Sequence, residues 1–363
     1  MTKTFSIAVF HGDGIGPEIM APTLDILRQM AAASPEYDLA FTDAPAGAAH
    51  YATTGESLPE RSMEIARTAD AILLSAMGLP DVRYADGTEI SPQIDLRKAL
   101  KLFAGVRPVV VKPGQRTPLA MPPGREIDFV LIRESTEGLF YTQGSGEVTE
   151  DEARETLLIT RDVSEKLFAF AFALARTRKE NGRGPGRVTC VDKANVFRAF
   201  AFFRKLFYAE ADRHPDLAAD DAYVDATALW MVQKPWDLDV LVTENMFGDI
   251  LSDLGAGLMG GLGLAPSADI GLEHAVFQPC HGSAPDIAGQ GLANPLAMIL
   301  SGAMMLDWLG IKHDIPAMTQ DGFRLREAVE DVVARGDVVT RDIGGTASTD
   351  AAAKAVLNTM LVA

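Results

Sequence analysis

A chain of 363 residues exceeds the size at which a single core stops growing, so about two domains are expected. A hydrophobic fraction of 47% with 23% charged residues describes a soluble globular protein, and the longest apolar stretch, residues 295–306, is too short to span a bilayer. The net charge of −17 excludes a nucleic-acid surface, and two cysteines, Cys190 and Cys280, without CxxC spacing, exclude a disulfide framework and a zinc site.

Residues 4–10, TFSIAVF, read as a strand, and no basic leader precedes them, so a cytoplasmic enzyme is the expectation. GDGIGPE at 12–18 turns directly into a helix with Pro17 in its first turn. Its glycines fall at every second position, which is not the GxGxxG phosphate fingerprint, so the loop reads equally as a tight turn and as a ligand contact. The apolar run 69–74 is a second strand, and the polar loop beyond it leads through Ser91 and Gln93 to a helix-like LRKALKLF. Arg97 and Arg107 then stand at the two ends of one short helix and its exit turn, either converging on a pocket or serving as solubility charges. Residues 129–132 form a strand that delivers Arg133 at its exit, where ligands bind in open sheets.

Residues 138–150 suggest an extended arm or hairpin, and 162–178 an amphipathic helix with Asp162 and Glu165 at capping-box spacing. Strand 187–191 ends at Asp192 and Lys193, and a lysine there is a candidate base where burial or cationic neighbours lower its pKa. Asp225 precedes a helix over 226–232. The buried strand 239–243 feeds VTENMFGDILSDL, which places Asp249 and Asp253 four residues apart on one helix face. Paired like charges cost a few tenths of a kcal/mol, which a hard divalent cation offsets; a solvated face near a helix N-terminus is the alternative. A glycine-rich turn at 259–266 and the loop HGSAPD at 281–286 follow, with Asn294 soon after. Strands alternate with helices throughout, which means an α/β architecture with substantial parallel pairing, and no clean linker marks a boundary between the domains.

Seven motifs occur in order: GDGIGPE, LRK with VRP, RESTEG, VDKAN, YVDA, FGDILSD, and HGSAPDIAG with ANP. In these the chain resembles the β-decarboxylating dehydrogenases, the family of isocitrate, isopropylmalate, tartrate and D-malate dehydrogenases, from Gly12 to about Leu309. Each motif is weak alone, but seven in register are hard to obtain by chance. The resemblance implies an isopropylmalate dehydrogenase-like two-domain α/β fold with a mostly parallel sheet and no standard Rossmann unit. Residues 1–109 with 262–363 would form a nucleotide-binding domain. Residues 110–261 would form a metal and dimerisation domain, whose arm, about 138–160, clasps the partner of a homodimer with shared active sites.

The same resemblance implies that Arg97, Arg107 and Arg133 hold the carboxylates of a malate-type hydroxy diacid, a task suited to planar bidentate donors. Asp225, Asp249 and Asp253 match the ligands of Mg2+ or Mn2+, with Asp225 and Lys193 contributed by the neighbouring subunit. Hydride would pass from C2 to NAD and CO2 would leave C3, while Lys193, aided by Asp192 or the metal aspartates, takes the hydroxyl proton. His281, Gly282, Ser283, Ala284, Asp286 and Ile287 belong to the adenosine loop, and Asn294 faces the adenine. A carboxylate at Asp286 accepts from the ribose 2′-OH and repels a 2′-phosphate, so NAD rather than NADP is implied.

Two departures stand out. Phe140 occupies the position of the family's tyrosine, which protonates the enolate carbon; Tyr141 is the substitute that a shifted arm would present, although neighbouring side chains in an extended segment point to opposite faces. Oxidation with decarboxylation and oxidation alone both fit. Ile90-Ser91-Pro92-Gln93 and RESTEG also replace the isopropylmalate-type helix and RELTGG. Ser91 falls where isocitrate enzymes keep a serine, and Gln93 near their asparagine, so the pocket reads as polar and favours tartrate, malate or another hydroxylated diacid. The alternatives are 3-isopropylmalate dehydrogenase proper and a non-catalytic regulatory homologue, against which retention of Lys193, the three arginines and the three aspartates argues.

Overall fold

The computed structural model describes residues 2–142 and 144–362. Among them run twelve strands: β1 Lys3–Phe10, β2 Tyr37–Asp43, β3 Ala71–Leu74, β4 Ala104–Val111, β5 Ile127–Glu134, β6 Glu147–Val148, β7 Ala153–Arg154, β8 Arg187–Asp192, β9 Ala218–Tyr223, β10 Val240–Thr243, β11 Pro266–Ile270 and β12 Ala275–Pro279. Ten of them make one sheet in the order β2-β1-β3-β12-β11-β4-β5-β10-β8-β9, and β6 with β7 forms a separate two-stranded hairpin. The pairings β11–β12, β11–β4 and β4–β5 are antiparallel and the others parallel, so the sheet is mostly parallel, as expected. Both termini contribute to one half: β1 to β4 sit beside β11 and β12, while β5, β8, β9 and β10 make the other half.

Apolar runs buried on both faces explain the strands. Phe129, Val130, Leu131 and Ile132 are buried in β5, as are Val240, Leu241 and Val242 in β10. Helix Leu296–His313, which carries most of the longest apolar stretch of the sequence, packs as a buried helix against β11, β12 and helix Pro316–Arg335. No helix of the described residues is long and apolar enough to cross a membrane.

Two local expectations are corrected. LRKALKLF is not one helix: helix Pro92–Ala99 ends at Leu100, Lys101 takes a left-handed φ of 53°, and Leu102 and Phe103 are buried beyond it. Arg107 therefore projects from within β4 rather than from an exit turn. Nor do Asp162 and Glu165 form a capping box. Helix Arg161–Glu180 is capped by Thr160, whose Oγ1 accepts from the Val163 amide, while Asp162 and Glu165 pair with Lys166 and Arg161 on its surface. Thr160 takes the cap because its backbone is extended, at φ −102° and ψ 157°, where the helix begins. Buried Glu137 accepts from both the amide and the hydroxyl of Thr160 and fixes that start.

Arg178 anchors the far side of the sheet. It is buried and donates to Asp239 at 2.9 Å and to Asp128 at 3.0 Å, and Asp239 also accepts from the amides of Gly186 and Arg187. Removing one partner of a buried ion pair strands the other, so Arg178→Leu is expected to lower stability by about 3–5 kcal/mol, read as a reduced urea midpoint.

Candidate active site

Three guanidiniums meet at the C-terminal end of β5. Arg133 closes that strand, Arg107 comes from the antiparallel neighbour β4, and Arg97 from helix Pro92–Ala99. Like charges packed this closely need an anion between them. The structure supplies Asp269, next to the last residue of β11 and fully buried. Its Oδ2 accepts from Arg97 Nε at 2.9 Å and from Gln278 Nε2 at 2.7 Å, and its Oδ1 accepts from Arg107 Nη2 at 3.2 Å and from Ser135 Oγ at 3.3 Å. Burial alone would raise the Asp269 pKa, yet the three arginines hold it down at about 2.

Arg133 is held separately, its Nε donating to Asn245 Oδ1 at 2.8 Å and its Nη1 to Asp249. Burial first, and then the Arg97 guanidinium, bring its pKa down to about 10. Gly248 is the only residue type that fits beside it, because a Cβ there would collide with the Arg133 side chain. The ring of Phe140 lies 5.2 Å from the guanidinium, whereas Tyr141, on the short turn Leu139–Thr142, is 55% exposed.

The Asp269 carboxyl ionises well below its unfolded value of about 3.9, so its contribution is present above that pH and is lost as pH falls through about 2. Wild-type stability should lose about 2 kcal/mol from this group over that window. Urea unfolding across it should show a flatter acid limb for Asp269→Asn.

Asp249 and Asp253 lie on helix Asn245–Met259, as their spacing predicts, with Glu244 capping its N-terminus through the Met246 and Phe247 amides. Partial burial and the Asp249 charge raise the Asp253 pKa, a repulsion that a cation would relieve. Asp225, in the first turn of helix Val224–Gln233, is elsewhere: Lys193 Nζ donates to its Oδ1, and that bond lowers the Asp225 pKa. Among the described residues no three His, Cys, Asp or Glu side chains are grouped so as to hold a metal ion. Within one chain, then, Asp225 and Lys193 form one cluster and Asp249 and Asp253 another. Asp192 is fully buried and bound by Arg204 Nε at 2.8 Å and by the Ala194 amide at 2.8 Å.

The loop 281–287 is docked on the GDGIGPE turn. Ser283 Oγ donates to the Gly78 carbonyl, and the Ile15 amide donates to the Ser283 carbonyl at 2.8 Å. Gly14, at φ 57°, lies so near that carbonyl that any Cβ would strike it. Glu18 clamps the end of the loop by accepting from the Gly289 amide at 2.8 Å and from Thr349 Oγ1 at 2.8 Å. Ala284 holds a left-handed φ of 36°, and Asp286 is exposed. His281 Nδ1 donates to the Gly282 carbonyl at 2.9 Å, and burial lowers its pKa. Its Nε2 is a buried lone pair without a partner among the described residues. Asn294 spends Nδ2 on Asp342 at 3.0 Å and Oδ1 on the Leu296 amide at 3.0 Å. On helix Pro92–Ala99, Gln93 Oε1 is likewise buried without a partner, and Ser91 donates to the Glu89 carbonyl at 3.4 Å.

Asp269, Asn245 and Glu18 were not anticipated. Only the charge of Asp269 inside the apolar run 264–270 gave a signal.

Residues 6–357 match the family described as isocitrate/isopropylmalate dehydrogenase. The 3-isopropylmalate/3-methylmalate dehydrogenase of Methanocaldococcus jannaschii is 42% identical over 344 residues, covering 94% of this chain and 95% of that one. The homoisocitrate dehydrogenase of the same organism is 39% identical over 361 residues, covering 97% and 96%. Among solved structures, the isocitrate dehydrogenase from Methylococcus capsulatus superposes with a TM-score of 0.83 at 33% identity, over 98% of this chain and 99% of that one. The β-decarboxylating dehydrogenase from Thermococcus kodakarensis gives a TM-score of 0.80 at 35% identity, over 99% and 96%.

Proposed function

Because the chain belongs to the isocitrate/isopropylmalate dehydrogenase family, we propose that it is an NAD-dependent, divalent-metal-dependent enzyme that oxidises and decarboxylates a malate-type 2-hydroxy-3-carboxy acid of the tartrate or D-malate kind. The observation that carries this reading is the convergence of Arg97, Arg107 and Arg133 from three separate segments beside Asp249. Their terminal nitrogens are the donors for the substrate carboxylates. In the proposal β1 to β4 with β11 and β12 form the nucleotide half and the other strands the metal and dimerisation half.

Asp249 and Asp253 offer only carboxylate oxygens, which suits Mg2+ or Mn2+, and Asp225 of a second subunit would complete the set. Such a cation supplies Lewis-acid polarisation of the C2 oxygen and NAD supplies the hydride acceptor. Lys193, after releasing a proton to solvent, takes the C2 hydroxyl proton as the neutral amine, and its bond to Asp225 holds Nζ in position. The NAD fit rests on the 281–287 loop: with Nδ1 carrying the proton, the unpartnered His281 Nε2 accepts a hydrogen bond such as an adenine amino group or a ribose hydroxyl gives. Exposed Asp286 suits the ribose 2′-OH and disfavours NADP. A homodimer is supported by large apolar side chains exposed around the Lys193 and Asp249 segments: Phe197 at 54%, Leu229 at 52% and Ile250 at 62%.

A second reading, oxidation without decarboxylation, is favoured by one observation. Phe140 rather than a proton donor sits over Arg133, and Tyr141 is turned to solvent. A panel assay with NAD and Mn2+ over D-malate, tartrate, isopropylmalate and isocitrate, counting NADH and CO2 together, separates the readings. Equal yields support the first; NADH with a stable 2-oxo diacid supports the second; no NADH with any of them overturns both.

A further inference from the structure

We propose that Asp269 is a specificity-determining residue that sets the arginine cluster to receive a dianion, and so selects substrates with two carboxylates over those with three. The inference rests on the dehydrogenase reading above and narrows its substrate class.

Arg97, Arg107 and Arg133 bring three positive charges to one place, and Asp269, fully buried between the first two, removes one of them permanently. It stays ionised because burial is outweighed by the guanidiniums around it. The remaining balance of two matches a malate-type acid with both carboxylates ionised. In the same reading Asp249 and Asp253 balance a divalent cation and Asp225 is paired with Lys193, so these groups drop out of the sum. A third substrate carboxylate would be surplus and would meet the field of Asp269 at low dielectric, where one unit charge acts strongly.

The hydrogen bonds point the same way. Arg97 gives Nε to Asp269. Arg107 gives Nη2 to Asp269 at 3.2 Å and Nη1 to the carbonyls of Val106 at 3.2 Å and Ala268 at 3.1 Å. Arg133 gives Nε to Asn245. Arg133 also gives Nη1 to Asp249, so each of the three guanidiniums has part of its donor set committed within the protein. Gln93 stands one turn before Arg97 on the same helix, and its buried Oε1 lacks a partner; as an acceptor it suits a hydroxyl donor.

Asp269→Asn keeps the shape and one acceptor oxygen while deleting the charge. It should raise the ratio of kcat/KM for isocitrate to that for D-malate by about tenfold or more, the scale of one short-range unit charge. Equilibrium binding measured by calorimetry with Mg2+ at saturation and no NAD should move in parallel, with tricarballylate, a trianion, gaining on succinate, a dianion. A proportional fall for all ligands, with both ratios unchanged, would show Asp269 to be only a structural support and overturn the proposal. If Asp269→Asn does not fold, the wild type still decides. Succinate must bind about tenfold more tightly than tricarballylate, and equal or tighter binding of tricarballylate overturns the proposal. If the wild type reduces NAD with no hydroxy diacid while the calorimetric ratios behave as stated, the dehydrogenase reading fails and the role of Asp269 stands.

Discussion

Lys193→Ala is expected to lower kcat by about 10^3-fold, within the range that a positioned acid-base group contributes, while leaving the KM for NAD nearly unchanged. Lys193 sits just beyond β8, is only part-exposed, and donates to Asp225, so its Nζ has a fixed direction and access to solvent for proton exchange. Lys193→Arg should not restore the rate, because a guanidinium stays protonated and cannot take a proton near neutral pH. Added primary amines should restore part of the Lys193→Ala rate in proportion to their concentration. Full activity in Lys193→Ala would remove the residue from the chemistry, and a fall shared equally by kcat and thermal stability would make it structural.

The legible and illegible parts of the site differ in how far apart their residues lie along the chain. Arg133, Asp249 and Lys193 were readable because each stands at a strand exit or on a helix face that its own neighbours define. The mostly parallel sheet was readable for the same reason, since β5 and β10 carry continuous apolar runs. Asp269 was not. A single acid in the run 264–270 acquires meaning only when β11 lies antiparallel to β4 with Asp269 opposite Gly105, which sets its carboxylate beside two arginines distant in sequence. Glu18 and Thr349, which together fasten the 281–287 loop, are 331 residues apart. The Arg107 misplacement had a local cause: LRKALKLF has helical composition throughout, but burial of Leu102 and Phe103 ahead of β4 overrides that propensity.

The strongest test of how the site is completed comes from Asp249→Asn. Alone it should lower kcat/KM by about 10^3-fold, because it weakens a carboxylate of the proposed cation site and also releases Arg133, which Asp249 holds in this structure. Loss of Mn2+ binding by calorimetry, with the fold intact, would tie the fall to the cation; unchanged activity would remove Asp249 from it. Asp225 and Lys193 form a cluster distinct from that of Asp249 and Asp253 within one chain, so the proposal draws them together across a two-fold interface. That arrangement has a consequence no single-chain site shares. In a mixed dimer of Lys193→Ala and Asp249→Asn subunits, one site carries both lesions and the other carries neither. Unfolding and refolding the two inactive variants together in equal amounts should therefore restore about one quarter of wild-type activity, since half the dimers are mixed and each holds one intact site. If both residues served the site of their own chain, every site in the mixture would be damaged and no activity would return.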